Sequence, residues 1–251
     1  MDLNPDEVVG IGAAIQASIL SGEVKDIVLL DVTPLSLGIE TQGGLVYRMI
    51  EANANIPTAY SQTFTTVTDN QSTVSIHILQ GESEIASQNR SLARFELVDI
   101  APAPKGMPQI EVTFEIDTNG IVKVAATDQA TRKEQSLKVT PTSGLSPDEI
   151  EKIIQSAEHN RESDEKRKEF IRKMNKLEGM IHTLEKTNAE YGSYLNSDEK
   201  EKVKSVIIQA RKAINQEEET MIFDSLEKMA QVSRVLSEVV MFNPSKSKSQ
   251  E

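Results

Sequence analysis

The sequence predicts an α+β protein, in which an antiparallel β-sandwich is followed by a C-terminal bundle of α-helices. Before residue 144, apolar and polar residues alternate with a period of two, which is typical of half-buried strands. After residue 144, apolar residues recur at helical spacing. Between Pro147 and Pro244 there is no proline, and the only glycines are Gly179 and Gly192. Helices can therefore run through this half with few interruptions.

The alternation is clearest over residues 109–116, where every second side chain is apolar and points to one face. Asn119-Gly120 follows, and this dipeptide favours a tight hairpin to a return strand that starts near Ile121. Shorter sets with the same alternation are Val74, Ile76 and Ile78; Phe95 and Leu97; and Leu137 and Val139. Several short strands with frequent turn residues indicate a sandwich.

The helical half opens with a recognisable start signal. Ser146 is suited to the N-cap, Pro147 to the first helical position, and Glu149 to the third position of a capping box. We expect a short helix near 147–157 that runs into a long helix to about residue 190. Residues 196–199 (Asn-Ser-Asp-Glu) indicate a break and a new cap, and the helices expected after it lie near 198–214 and 224–241.

The N-terminal part is different from both halves. Residues 5–20 carry small and apolar residues at helical spacing, but a helix of this length is marginal on its own in water. Residues 27–31 (Ile-Val-Leu-Leu-Asp) form a compact apolar run between charges. The pattern fits a strand or an apolar linker and favours the strand.

Composition excludes several classes of function. The formal net charge of −12 disfavours nucleic acid and anionic membranes as partners, since both need a cationic surface. There is no cysteine, so disulfides and thiolate chemistry are excluded. No apolar run approaches the ~20 residues that span a bilayer. His77 and His159 have no partner at metal-ligand spacing, and we predict no metal site.

Residues 28–41 (VLLDVTPLSLGIET) resemble the interdomain linker and first strand of the 70-kilodalton heat-shock chaperone family, of the DnaK-like bacterial or mitochondrial type. Residues 4–7 (NPDE) resemble the last helix of that family's nucleotide-binding domain. Further segments resemble the family in order: 55–58 (NIPT), 69–72 (DNQS), 79–82 (LQGE) and 102–112 (PAPKGMPQIEV). The resemblance covers nearly the whole chain and is weaker in the helices.

The resemblance implies a domain organisation. It divides the chain into a remnant of the nucleotide-binding domain (1–25), an interdomain linker (26–33), a β-sandwich substrate-binding domain (34–141), a helical lid (142–243) and a disordered tail (244–251). The linker residues are Ile27, Val28, Leu29, Leu30 and Asp31. ATP and magnesium would belong to an N-terminal domain absent from this chain. No phosphate loop of the G-x-x-x-x-G-K-[ST] kind occurs here, so we expect no cofactor and no ATPase activity in this fragment.

The resemblance also implies a function, which is to hold extended hydrophobic segments of unfolded proteins in a cleft closed by the lid. In the intact family member this binding is coupled to ATP hydrolysis. Matched position by position, the peptide-binding residues are Ile39, Thr41, Gln42, Leu45, Phe64, Val67, Val74, Ile76 and Ile110. From periodicity alone, the apolar members of this set fit a sandwich core better than a pocket, and only the resemblance favours the pocket.

Two of these positions depart from the family pattern. The family commonly places Met and Ala as an arch over the bound peptide, whereas this chain has Gln42 and Val67. Thr41 is expected to contribute through its backbone. We therefore expect the arch to close differently and to alter peptide preference or release.

The resemblance further implies a latch between lid and sandwich. Glu178 is expected to pair with Lys105, and His182 is expected to lie near Asp69. Glu178 and His182 are four residues apart and so share one helix face. The alternative is that these are solvated surface residues, since exposed ion pairs contribute only ~0–1 kcal/mol.

Two other classes of protein remain open from the sequence: a non-catalytic adaptor for folded partners, and a carboxylate-based hydrolase. The family implies J-domain co-chaperones and a nucleotide-exchange factor as partners. An exposed linker would also favour self-association, with a linker or terminus in a neighbour's groove. The resemblance places the protein in the mitochondrial matrix or the bacterial cytoplasm.

Overall fold

A computed structural model describes residues 5–21, 31–140 and 146–242. Within these ranges the chain forms one α-helix, then ten strands, then three α-helices, with short 3-10 helices at Ala86–Gln88 and Gly192–Tyr194. The predicted α+β architecture, with an antiparallel sandwich ahead of a helical region, is confirmed. The predicted linker residues Ile27 to Leu30 and the predicted tail 244–251 lie outside the described residues.

Helix α1 covers Pro5–Leu20, as the spacing of its apolar residues predicts. Val9 is 78% exposed, and Ile11 and Ile15 are each more than 40% exposed. None of the helices in the described ranges is long and apolar enough to cross a membrane.

The strands are short and nearly all belong to two four-stranded antiparallel sheets. Their bounds are β1 Asp31–Val32, β2 Leu37–Thr41, β3 Leu45–Ile50, β4 Asn55–Ile56, β5 Thr58–Phe64, β6 Val74–Gln80, β7 Arg90–Leu97, β8 Ile110–Ile116, β9 Val122–Asp128 and β10 Glu134–Val139. One sheet has the order β3-β2-β6-β7 and the other β10-β9-β8-β5, while β1 and β4 form a separate pair. Asp31, which lies within the predicted linker (26–33), is thus paired with Ile56 at the start of the β structure.

The apolar faces of the two sheets form one core. In β8 the alternating side chains of Ile110, Val112, Phe114 and Ile116 are each at most 2% exposed. They pack with inward side chains of the other sheet, such as Ile78, which is fully buried. Period-two alternation therefore predicted the buried face correctly.

The hairpin between β8 and β9 is present, but its connection is longer than a two-residue turn. Residues 117–121 separate the strands, and Asp117 N donates to Ile121 O at 3.1 Å. The Asp117 side chain accepts from Asn119 N and Ile121 N. Gly120 has a positive φ of +74°, a conformation that favours glycine.

Helix α2 runs without interruption from Pro147 to Tyr191, a length of 45 residues. The short helix predicted near 147–157 and the long helix that it runs into form one continuous helix, because no glycine or proline lies between Pro147 and Gly179 to end it. The capping box is formed as predicted: Ser146 Oγ accepts from Glu149 N, and Glu149 accepts from Ser146 N. These hydrogen bonds lower the pKa of Glu149 below its ordinary range.

Helices α3 (Ser197–Gln216) and α4 (Glu219–Phe242) fold back on α2. The break before α3 is where the sequence predicts it, with Asn196 as N-cap and Glu199 completing a second capping box. The three helices enclose their own core, in which Leu177, Ile222 and Met229 are fully buried. We call α2, α3 and α4 together the lid.

Candidate functional site

A cavity of about 720 Å³ opens at one end of the sandwich, between β2 and β6 of one sheet and the β5–β8 pair of the other. We call this cavity the groove. Its apolar lining is Ile39, Phe64, Val67, Val74, Ile76, Pro108 and Ile110. Its polar lining is Glu40, Thr41, Gln42, Thr63, Thr65, Gln71, Ser75, Gly106 and Gln109. Cavities that bind ligands typically measure ~300–1,000 Å³ and are mainly apolar with a few polar groups.

The strand register places side chains of both sheets at this cavity. Phe64, the last residue of β5, is opposite Ile110, the first residue of β8. Ile39 of β2 is opposite Ile78 of β6, two residues beyond Ile76 on the same face. Phe64 and Ile110 thus come from the ends of their strands, while Ile39 and Ile76 lie within β2 and β6.

The groove floor is continuous with the sandwich core. Ile39, Ile76 and Ile110 are 4%, 3% and 1% exposed and belong to the core cluster, yet they also line the groove. Phe64 and Val74 are half-buried at its walls. The core and pocket interpretations of the sequence are therefore compatible, because the same side chains serve both.

Phe64 is held by an aromatic neighbour. The Tyr47 ring of β3 meets it edge-on, with ring centroids 5.3 Å apart and an interplanar angle of 88°. Tyr47 Oη lies 3.4 Å from Tyr60 Oη. The pKa of Tyr47 is raised, mainly by this hydrogen bond and to a lesser extent by burial. Sequence reasoning did not identify this support, because Tyr47 is distant from Phe64 along the chain.

Eight of the nine predicted peptide-binding residues line the groove. Leu45 does not: it is 8% exposed and forms an isolated bridge with Ile85. Thr41 uses its side chain locally, since its Oγ1 donates to Leu45 O at 3.1 Å across the turn. This bond fixes the 41–44 turn at the rim of the groove.

The lid lies over this turn. Gln42 Nε2 donates to Glu178 Oε2 at 2.8 Å, and Asn175 Nδ2 donates to Gln42 O at 3.0 Å. Val67, the other predicted arch residue, is 47% exposed and lines the groove, and its apolar side chain can make no hydrogen bond to the lid. Helix α2 is therefore attached to the rim of the groove by polar contacts to Gln42.

All four predicted latch residues line a second cavity of about 410 Å³ between the lid and the sandwich loops. His182 Nε2 is 3.8 Å from Asp69 Oδ1, and the same Asp69 oxygen accepts from Lys105 N at 2.8 Å. Between Lys105 and Glu178, which both lie in described parts of the chain, there is no ion pair within 4.0 Å. Glu178 Oε2 instead accepts a hydrogen bond from the Gln42 amide.

Comparison of the chain with protein-family models identifies its family. A family model described as Hsp70 protein matches residues 1–241. The chain belongs to the Hsp70 family. This makes it a member of a family of heat-shock chaperones and ATPases that act in protein folding, bind unfolded polypeptides and work with co-chaperones.

This Hsp70 chain has a further contact between the lid and the sandwich that the sequence analysis did not predict. Asp164 of α2 is 4% exposed, and it accepts from Ser83 Oγ at 2.7 Å and from Gln88 Nε2 at 2.9 Å. One turn further on, Lys168 Nζ is 2.6 Å from Glu84 Oε2. Asp164 lies in a helix segment crowded with charged residues, so nothing in the pattern marks it as buried.

Proposed function

We propose that the groove of this Hsp70 chain binds extended hydrophobic segments of unfolded polypeptides and that the lid retains them. The observation that carries the proposal is the groove itself, an opening of about 720 Å³ with an apolar floor, a polar rim and a helix across its edge. An apolar side chain that leaves water for such a floor gains ~1.5–3 kcal/mol. That free energy suits binding that must later be reversed.

Titrating a fluorescent, extended Leu-rich heptapeptide with the chain tests this proposal by anisotropy. Val74→Phe adds bulk at the groove wall and is expected to weaken binding about tenfold to a hundredfold, the equivalent of losing one buried side chain. Val98→Phe is the matched control, because Val98 is 49% exposed and is not among the groove residues. Circular dichroism of both variants checks that they fold.

Saturable binding that only Val74→Phe loses supports the groove as the peptide site. Equal affinity in the parent and Val74→Phe would place the peptide elsewhere on the molecule. No binding by a folded, monomeric parent would favour the adaptor alternative. If the parent self-associates, the predicted occupation of a groove by a neighbour's linker is tested with the Val28→Asp/Leu29→Asp double variant.

We further propose that the residues of this chain do not hydrolyse ATP, although the family does. The sequence has no Gly-rich phosphate loop, and neither lysine nor arginine is among the groove residues. Phosphate release from ATP above the rate of a buffer blank would refute this. Location in the mitochondrial matrix or the bacterial cytoplasm stays a prediction, as do the J-domain and nucleotide-exchange partners.

One arrangement bears on the hydrolase alternative. His77 Nδ1 is 2.7 Å from Glu40 Oε2, and His77 Nε2 is 2.8 Å from Ser91 Oγ, the order found in nucleophile–base–acid sites. Arg94 Nη2 also approaches His77 Nδ1 at 2.9 Å, and Ser91 is not among the residues lining the groove. We therefore assign these side chains to cross-strand bonding between β2, β6 and β7.

A further inference from the structure

The rim of the groove meets the lid along a single face of α2. Asn175 donates to the backbone of Gln42, and Glu178 accepts from its side chain. Ile171, one turn before Asn175, lies so close to Gly43 that a Cβ atom there would overlap its Cγ2. Positions 171, 175 and 178 follow the i, i+4, i+7 spacing of one helix face. The contact is therefore made by successive turns of the helix.

Gln42 has a double position in this contact. Gln42 is one of the residues that line the groove, and its side chain donates the hydrogen bond to Glu178. The hydrogen bond needs an amide donor at residue 42, since Glu178 when ionised can only accept. Val67, the other predicted arch residue, has an apolar side chain that cannot make such a bond. Of the two predicted arch residues, only Gln42 can therefore be hydrogen-bonded to the lid through its side chain.

We infer that Gln42 is a positioning residue that makes the cover of the groove and the lid move together, and so sets how fast a bound peptide leaves. This inference rests on the proposed peptide-binding function of the groove. With Gln42 bonded to Glu178, the lid leaves the 41–44 turn only by drawing the Gln42 side chain with it or by breaking the bond. One of these two events therefore accompanies release of a peptide beneath the lid.

Gln42→Met tests the inference, because it keeps an unbranched side chain and removes the amide. Release of the labelled heptapeptide is followed after adding excess unlabelled peptide. We expect dissociation to be about threefold to tenfold faster, with association nearly unchanged, as for loss of one partly exposed hydrogen bond to a charged group. Glu178→Ala should accelerate release similarly, and Glu178→Gln should restore it partly, because its amide oxygen still accepts from Gln42.

The double variant Gln42→Met/Glu178→Ala separates a direct effect from a general one. If the bond acts as inferred, the double variant releases peptide no faster than either single variant. The inference would be overturned if the two substitutions multiplied their effects on the release rate in the double variant, or if Gln42→Met alone left the release rate unchanged. Lys176→Ala, an exposed change on the same helix without a described bond, should leave release unaltered.

Lid position gives an independent measurement. The chain has no native cysteine, so spin labels on Lys186→Cys of the lid and Lys138→Cys of the sandwich report one distance. Gln42→Met should enlarge the population with long distances, and an unchanged distribution would contradict the coupling. Peptide binding by the parent that Val74→Phe abolishes, with normal release from Gln42→Met, would refute this inference alone. Absence of binding by the parent would instead refute the proposed function.

Discussion

Asp164→Ala is expected to weaken docking of α2 on the sandwich, because it removes the acceptor for both Ser83 and Gln88. Each hydrogen bond to a charged group contributes ~1.5–3 kcal/mol, so the pair amounts to roughly 3–6 kcal/mol. Alanine also removes a buried charge, whose desolvation opposes docking by several kcal/mol. We take a net loss of about 2 kcal/mol, which makes the undocked lid roughly thirtyfold more populated.

The distance between labels at positions 138 and 186 measures this population, and peptide release measures its effect on the groove. Glu165→Ala is the matched control, since Glu165 is the adjacent residue, is exposed and has no described bond. Asp164→Ala should shift the distances and accelerate release, while the control should do neither. A docked distance distribution in Asp164→Ala, with the protein folded, would refute the reasoning that this buried carboxylate holds the lid.

Three further predictions concern the same helix. Gly43→Ala should speed peptide release, because the alanine Cβ would overlap Ile171 and the φ of +83° at this position disfavours alanine. Release at the parent rate would show that the 41–44 turn and Ile171 shift to accommodate the Cβ. Leu177→Ala should destabilise the lid by about 2–5 kcal/mol in denaturant unfolding, because Leu177 is fully buried, and a smaller loss would mean that the lid core collapses onto the gap. The hydrogen bonds that lower the pKa of Glu149 stabilise the start of α2 when the pH is above the ordinary glutamate pKa. This stabilisation is lost as the pH falls from that value through the lowered pKa. Ser146→Ala should therefore flatten the pH dependence of helix content measured by circular dichroism.

The fold was predictable where a local pattern has one physical meaning. Alternation in 110–116 defined a buried face, and the Ser146 and Asn196 capping boxes defined two helix starts. The short helix predicted near 147–157 is not distinguishable from the long helix that it runs into, because no residue between them ends a helix. Weak changes in pattern do not override continuous helix propensity.

The candidate site was predictable only through the family resemblance, because periodicity could not distinguish a groove floor from a core. Exposed polar contacts were the least predictable part. The sequence does not show which of several nearby donors a carboxylate such as Glu178 accepts from. Nor does it show that Asp164, among many acidic residues on α2, is the buried one. These outcomes depend on the three-dimensional approach of lid and sandwich.

The uninterrupted course of α2 makes it a rigid lever. Fourteen residues separate its buried anchor at Asp164 from Glu178, a length of ~21 Å at 1.5 Å per residue. Pivoting the helix by ~10° about that anchor displaces Glu178 by ~4 Å, which exceeds the reach of a hydrogen bond. The groove can thus be uncovered by a small tilt, with every backbone bond of the helix intact.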